Sequence, residues 1–283
     1  MEMGNKRIAA LTMLRNDEVF LRKWVAYYGA QLGKENLYVW FDGLDQVVPD
    51  FCEGVNVQVV EHIEGNVKQG DRGRIDFLSA RAAELFECYD LVIGTDVDEF
   101  LVVDPALGVP LADFLSSLDS RRRACFSGLG VDVGQHLDKE AVIDWERPLL
   151  SQRGFARLST RYTKAGVLAR PLPWGSGFHR VRGRNFHIVP DLYLFHFGCV
   201  DLERIKSRMS DADRIASGWS KHLKKRARTI DVVTHGKARE WSCAVPFART
   251  VQTIFRPPYA WNKPSMFELK LVVRIPERFS SAV

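Results

Sequence analysis

Residues 90–105 read DLVIGTDVDEFLVVDP. Three carboxylates, Asp96, Asp98 and Glu99, follow the apolar run Leu91 to Gly94 and precede a second one, Phe100 to Val103. Carboxylates gathered at the end of a buried strand repel one another and are costly to desolvate, so a cation is expected to compensate them. Asp96 and Asp98 are two apart, and on an extended chain they face the same side. Oxygen ligands on one face suit a hard divalent ion, Mg²⁺ or Mn²⁺, which keeps waters and takes substrate phosphates as further ligands. The alternative is a solvated acidic turn after a strand.

Other residues invite weaker readings. Arg15 follows the first apolar run and is placed to contact a nucleotide; a structural salt bridge is the competing reading. Asp71-Arg72-Gly73-Arg74 precedes a helical pattern, and Arg74 at a helix start would neighbour a phosphate or donor sugar; a solvated helix start is the competing reading. Trp174 and His179 lie in the Gly-rich stretch Trp174-Gly175-Ser176-Gly177-Phe178-His179, a loop able to close over substrate. The Trp174 ring is a natural platform for a sugar, with packing of the loop as the alternative. His196 lies on the apolar strand 191–197.

These residues need elements to hold them. Ile8 to Leu14 reads as a strand. Asn16 or Asp17 can cap the helix after it, which carries Phe20, Leu21, Trp24, Val25 and Tyr28 at helical spacing and breaks at Gly33. Leu37 to Phe41 is a second strand, stopped by Asp42-Gly43, and Val55 to Val60 a third. Ile75 to Phe86 is a helix, and the acidic strand follows. The alternation to about residue 105 implies an α/β fold with a mostly parallel central sheet and helices on both faces. Ligands of such sheets sit beyond the carboxyl ends of the strands. Further on, Leu202 to Ile215 reads as a helix, and residues 219–239 hold Lys221, Lys224, Lys225, Arg226, Arg228, Lys237 and Arg239.

The chain has 283 residues, 46% hydrophobic and 27% charged, which is the make-up of an ordinary globular protein. A net charge of +5 suits anionic small molecules or an anionic membrane surface. Five scattered cysteines without a CxxC pair argue for a reducing compartment and against zinc. No run of about 18 apolar residues offers a membrane span. The expected place is cytoplasmic; the basic segment either is a solvated helical face or brings the protein to the inner face of a membrane as a peripheral contact with anionic lipid. Nucleic-acid binding is disfavoured, because no recognised module is present and few aromatics interleave the charges.

In combination, Arg15-Asn16-Asp17-Glu18, Trp24, Asp42-Gly43, Asp96-Val97-Asp98-Glu99-Phe100 and Leu194-Phe195-His196-Phe197 with Lys206 resemble nucleotide-sugar-dependent glycosyltransferases of the family 2 type. The branch is the one with a DxDEF strand, related to the family 92 enzymes. The resemblance covers roughly residues 7–210. It departs from the family's DDGS at Asp42-Gly43-Leu44-Asp45. It implies a GT-A fold over residues 1–210, with a nucleotide-binding half (1–105) and an acceptor half (106–210), and leaves 211–283 as a basic C-terminal, partly helical extension. It implies inverting transfer of a sugar from a nucleoside-diphosphate sugar to a glycan or lipid-linked acceptor. Within it, Asp98 contacts the metal, and Asp96 bonds the ribose and reaches the metal directly or through water. Asp42 accepts from the nucleobase, Thr12 faces the base, and His196, with His179 as its competitor, completes the metal site. Asp132 is the expected base for the acceptor hydroxyl, with Asp138 and Asp144 as alternatives. Two other classes stay open: a nucleotidyltransferase with a metal–carboxylate site, and a non-catalytic sugar- or cation-binding protein. The first would want a Gly-rich basic loop near the first strand, and Leu11 to Asn16 is not one.

Overall fold

The computed structural model describes residues 6–209, 220–255, 261–262 and 269–283. The strands are β1 Ile8–Leu14, β2 Leu37–Asp42, β3 Asn56–Val60, β4 Leu91–Gly94, β5 Glu99–Val103, β6 Cys125–Gly134, β7 Phe155–Leu158, β8 Val167–Leu168, β9 Ile188–Cys199 and β10 Leu271–Arg274. The helices are α1 Glu18–Leu32, α2 Val67–Leu85, α3 Leu111–Ser117, α4 Leu202–Met209, α5 Ser220–His235 and α6 Trp241–Ile254. The ten strands form one sheet, in the order β10-β7-β6-β8-β4-β1-β2-β3, with β9 paired to β6 and β5 to β9.

The α/β reading holds. Strands β3, β2, β1 and β4 are parallel neighbours, and β6 and β9 pair in parallel. Antiparallel pairs join and edge these groups: β8 with β4 and β6, β7 with β6 and β10, and β5 with β9. Strand β1 shows why helices cover both faces. Ile8, Ala10 and Leu14 pack with the α1 residues Phe20, Leu21, Trp24, Val25 and Tyr28, while Leu11 and Met13 pack with Ile75, Leu78 and Ala82 of α2. A strand buried on both sides reads as a continuous apolar run, as β1 does.

Two local expectations change, and a third is met as far as the described residues reach. Helix α2 begins at Val67 rather than Ile75, because Asn66 caps it in a reciprocal capping box with Gln69. Asp71 and Arg74 therefore lie inside the helix. Asp17 sits at the start of α1 without capping it; its carboxylate takes Arg208 at 2.8 Å and also Arg204, both from α4. The helix expected over 202–215 is seen to Met209, and its remainder lies outside the described residues.

Described residues after 210 contact the first 209. β10 is a sheet strand beside β7, and the Val283 carbonyl accepts from the Leu149 amide at 2.6 Å. The side chains of Lys221, Lys224, Lys225 and Arg226 lie outside the described residues, while Arg228, Lys237 and Arg239 are exposed. Among the described residues no helix is long and apolar enough to cross a membrane. All five cysteines are free.

Candidate metal centre

The acidic motif is not extended. After β4 the chain turns at Val97-Asp98, and the Glu99 amide donates to the Asp96 carbonyl at 3.0 Å. The turn brings Asp96 and Glu99, three residues apart, onto one lysine, Lys164, and turns Asp98 toward His196. Asp98, Glu99 and His196 each offer a ligand atom, and these atoms lie within 4.8 Å of one another. The expected trio of Asp96, Asp98 and His196 is thus altered in one member: Glu99 stands in the place expected for Asp96.

Strand register builds the rest. Glu99 on β5 is opposite His196 on β9, and His196 is opposite Asp132 on β6. Residues directly opposite on neighbouring strands share a face. His196 Nδ1 is 2.7 Å from Asp132 Oδ1, and Nε2 is 3.5 Å from Asp98 Oδ2. The Thr229 hydroxyl of α5 donates to Asp132 Oδ2 at 2.6 Å. The Tyr162 ring stacks on the imidazole, centroids 3.7 Å apart and 14° from parallel. The ring is therefore held in place, with Nε2 aimed at the acidic turn. Carboxylate support behind a ligating histidine fixes its tautomer and orientation.

Two observations test whether these residues fit a divalent ion. One imidazole nitrogen with two carboxylates is a set that suits Mn²⁺ as well as Mg²⁺. A Cβ added at Gly198 would stand 2.6 Å from His196 Nε2 and 3.0 Å from Asp98 Oδ2, so glycine keeps the space beside these two ligand atoms open. The donor set fits.

Protein cations take up part of the acidic charge. Lys164, from the β7–β8 connection, places Nζ 2.7 Å from Asp96 Oδ2 and 2.6 Å from Glu99 Oε1. Arg74 of α2 reaches Asp96 Oδ1 at 2.8 Å and Asp71 at 3.3 Å. Burial pushes Asp96 up, but Lys164 and Arg74 outweigh it and hold the carboxyl far below its usual range. Burial raises Glu99 above the usual carboxylate value, against the opposing pull of Lys164. Burial alone would lower His196, yet Asp98 and Asp132 push it up to about 9. Nothing in the sequence singles out Lys164, since a lone lysine in Arg161-Tyr162-Thr163-Lys164 carries no motif. Thr229 escapes notice for the same reason.

Other expected site residues are placed as follows. Asp132 is 2% exposed and held by His196 and Thr229, so it positions the imidazole rather than opening toward an acceptor hydroxyl. Trp174 has no exposed ring to offer a sugar. It is fully buried, it donates to the Ala165 carbonyl at 2.8 Å, and a Cβ at Gly94 would touch its ring at 2.7 Å. It is a core residue beneath the acidic turn, because Gly94 lets the indole lie against β4. His179 is half-buried next to Gly177, outside the acidic group. Arg15 forms a two-pronged pair with Asp45 at 2.7 and 2.9 Å and donates to the Asp42 carbonyl. Asp42 accepts from the Ile63 amide at 2.8 Å and approaches His62 at 3.1 Å. Thr12 is fully buried, and its hydroxyl has no hydrogen-bond partner among the described residues.

No family model matches this chain, and no curated protein does. Among solved structures it is similar to WbbM, a bifunctional glycosyltransferase, at 13% identity and a TM-score of 0.26 over 44% of this chain; the chain spans 23% of that protein's length. It is also similar to the mannose-1-phosphate geranyltransferase of Thermus thermophilus, at 11% identity and a TM-score of 0.28, over 97% of this chain and 76% of the other. Likeness of this degree decides no chemistry, which rests on the residues of the site itself.

Proposed function

We propose that this chain is a metal-dependent, inverting glycosyltransferase that moves a sugar from a nucleoside-diphosphate donor to a hydroxyl of a glycan or lipid-linked acceptor. One observation carries the reading: Asp98, Glu99 and His196 converge beyond the carboxyl end of β4, beside a space that glycine keeps open. That is where ligands of parallel α/β sheets sit. Asp98, Glu99 and His196 would hold Mn²⁺ or Mg²⁺, which supplies charge stabilisation for the departing diphosphate. Asp132 and Thr229 keep the imidazole aimed, and Tyr162 keeps it flat. Asp96, braced by Arg74 and Lys164, fits a fixed acceptor for a ribose hydroxyl. Asp42, at the end of β2, and Thr12, within the neighbouring parallel strand β1, are the base-side candidates, with Arg15 bracing Asp42's carbonyl. A lipid-linked acceptor would bring the basic segment 219–239 near an anionic membrane surface.

The test is a panel of nucleoside-diphosphate sugars assayed for donor hydrolysis and for transfer, with Mn²⁺, with Mg²⁺ and with EDTA. Turnover of one donor class that needs the ion, and that is lost in Asp98→Ala while the fold persists, is the expected result. Full turnover in EDTA removes the metal from the mechanism. Incorporation of a nucleotide into product, in place of a sugar, assigns the site to nucleotidyl transfer.

A further inference from the structure

Lys164 is the buried lysine among the described residues, at 3% exposure, and its ammonium lies between Asp96 and Glu99. Glu99 thereby serves two cations: its carboxylate is in the group able to hold an ion, and one of its oxygens already faces Lys164 at 2.6 Å. We propose that Lys164 is a built-in competitor of the divalent ion, which keeps metal affinity low in the free protein so that tight metal binding awaits the donor diphosphate. This inference rests on the metal reading above.

Charge balance supports it. Among the described residues, Asp96, Asp98, Glu99 and Asp132 bring four negative charges together, with Asp71 on the other side of Arg74; Arg74 and Lys164 bring two positive ones. Without Lys164 the surroundings of the ion are more negative by one charge, in a weakly screened interior where like and unlike charges act strongly. The ammonium therefore opposes the ion through Glu99 and through direct repulsion. A diphosphate brings fresh negative charge and offers both cations a new partner, so ion and diphosphate should bind cooperatively. The opposite outcome has an equally plain mechanism: if Lys164 serves only to hold Glu99 and Asp96 in place, its loss would scatter the ligands and weaken the ion.

Mn²⁺ titration followed by electron paramagnetic resonance, without nucleotide, separates the two. Lys164→Met is expected to bind Mn²⁺ at least about tenfold more tightly than the wild type. Inorganic pyrophosphate should tighten Mn²⁺ binding more in the wild type than in Lys164→Met. Equal or weaker affinity in the folded variant overturns the inference and leaves the metal reading standing. Absence of Mn²⁺ binding in both proteins, with and without pyrophosphate, overturns both. Should Lys164→Met fail to fold, the wild type labelled with ¹³C at lysine Cε is titrated with Mg²⁺. The buried lysine resonance is expected to move with occupancy, and a resonance that stays fixed while the ion binds overturns the inference.

Discussion

At the scale of single residues, Gly198 and Thr229 decide more than their chemistry suggests. His196 cannot yield to a neighbour, because Asp132 and Tyr162 pin its ring. Gly198→Ala would place a methyl 2.6 Å from Nε2, in the space beside the ligand atoms. We expect a loss of Mn²⁺ affinity of at least about tenfold, or about 1.4 kcal/mol or more, read by calorimetry. A variant that binds the ion normally would show that the open space lies elsewhere. Thr229→Val removes the 2.6 Å hydrogen bond to a buried carboxylate while keeping the shape of the side chain. Leaving that acceptor short of a partner should cost about 1–3 kcal/mol in denaturant unfolding. Metal affinity should fall with it, because Asp132 is then free to reorient His196.

At the scale of elements, the acidic turn is held from behind by α1. Trp24 donates to the Thr95 hydroxyl at 3.0 Å, and Tyr28 accepts from the Leu101 amide at 2.9 Å. The helix thus fixes both flanks of residues 96–99. On the other side, Asp42 at the end of β2 ties down the segment that leads into α2, the helix that carries Arg74. Asp42→Ala strands the Ile63 amide. The expected cost is about 1–2 kcal/mol of stability, together with weaker nucleotide binding. Calorimetry with nucleoside diphosphates separates the two effects, since unchanged affinity beside lowered stability makes Asp42 an anchor of that segment alone.

At the scale of the whole molecule, the C-terminal residues close the structure. Arg278 reaches Asp104, just past β5, with two bonds of 2.6 and 2.8 Å. Burial pushes the Asp104 carboxyl up, but Arg278 and the Ala106 amide more than offset this and leave it below its usual value. A depressed folded value gives stability that is present above the unfolded value, near about 3.9, and lost as pH falls through the folded one. Arg278→Met should therefore lower stability at neutral pH by about 1 kcal/mol or less, since the guanidinium is partly exposed. The difference from wild type should shrink as pH drops below about 4. Urea unfolding at a series of pH values checks it, and a gap that widens in acid would reverse the assignment.

The elements were legible in the residues because their signals are local. An apolar run, a helical stripe or a glycine stop acts over a few positions, so β1, α1 with its break at Gly33, and β4 follow from short-range sterics and burial. The clustered acids likewise announced a need for positive charge, and Asp98 and His196 do meet. What the sequence hid was partnership across distance. The turn at Val97-Asp98 exchanged Glu99 for Asp96, which a period-two reading of an extended chain could not anticipate. Lys164 and Thr229 enter from positions 68 and 97 residues away from the carboxylates they meet. Only the pairing of β5, β9 and β6 in register sets Glu99, His196 and Asp132 side by side. A strand's own pattern selects which face is buried, while its neighbours and their register are chosen by packing of the whole sheet. The residue types alone determined that charge must be compensated here; the tertiary structure decided that lysine and arginine share that task with the histidine-bearing site.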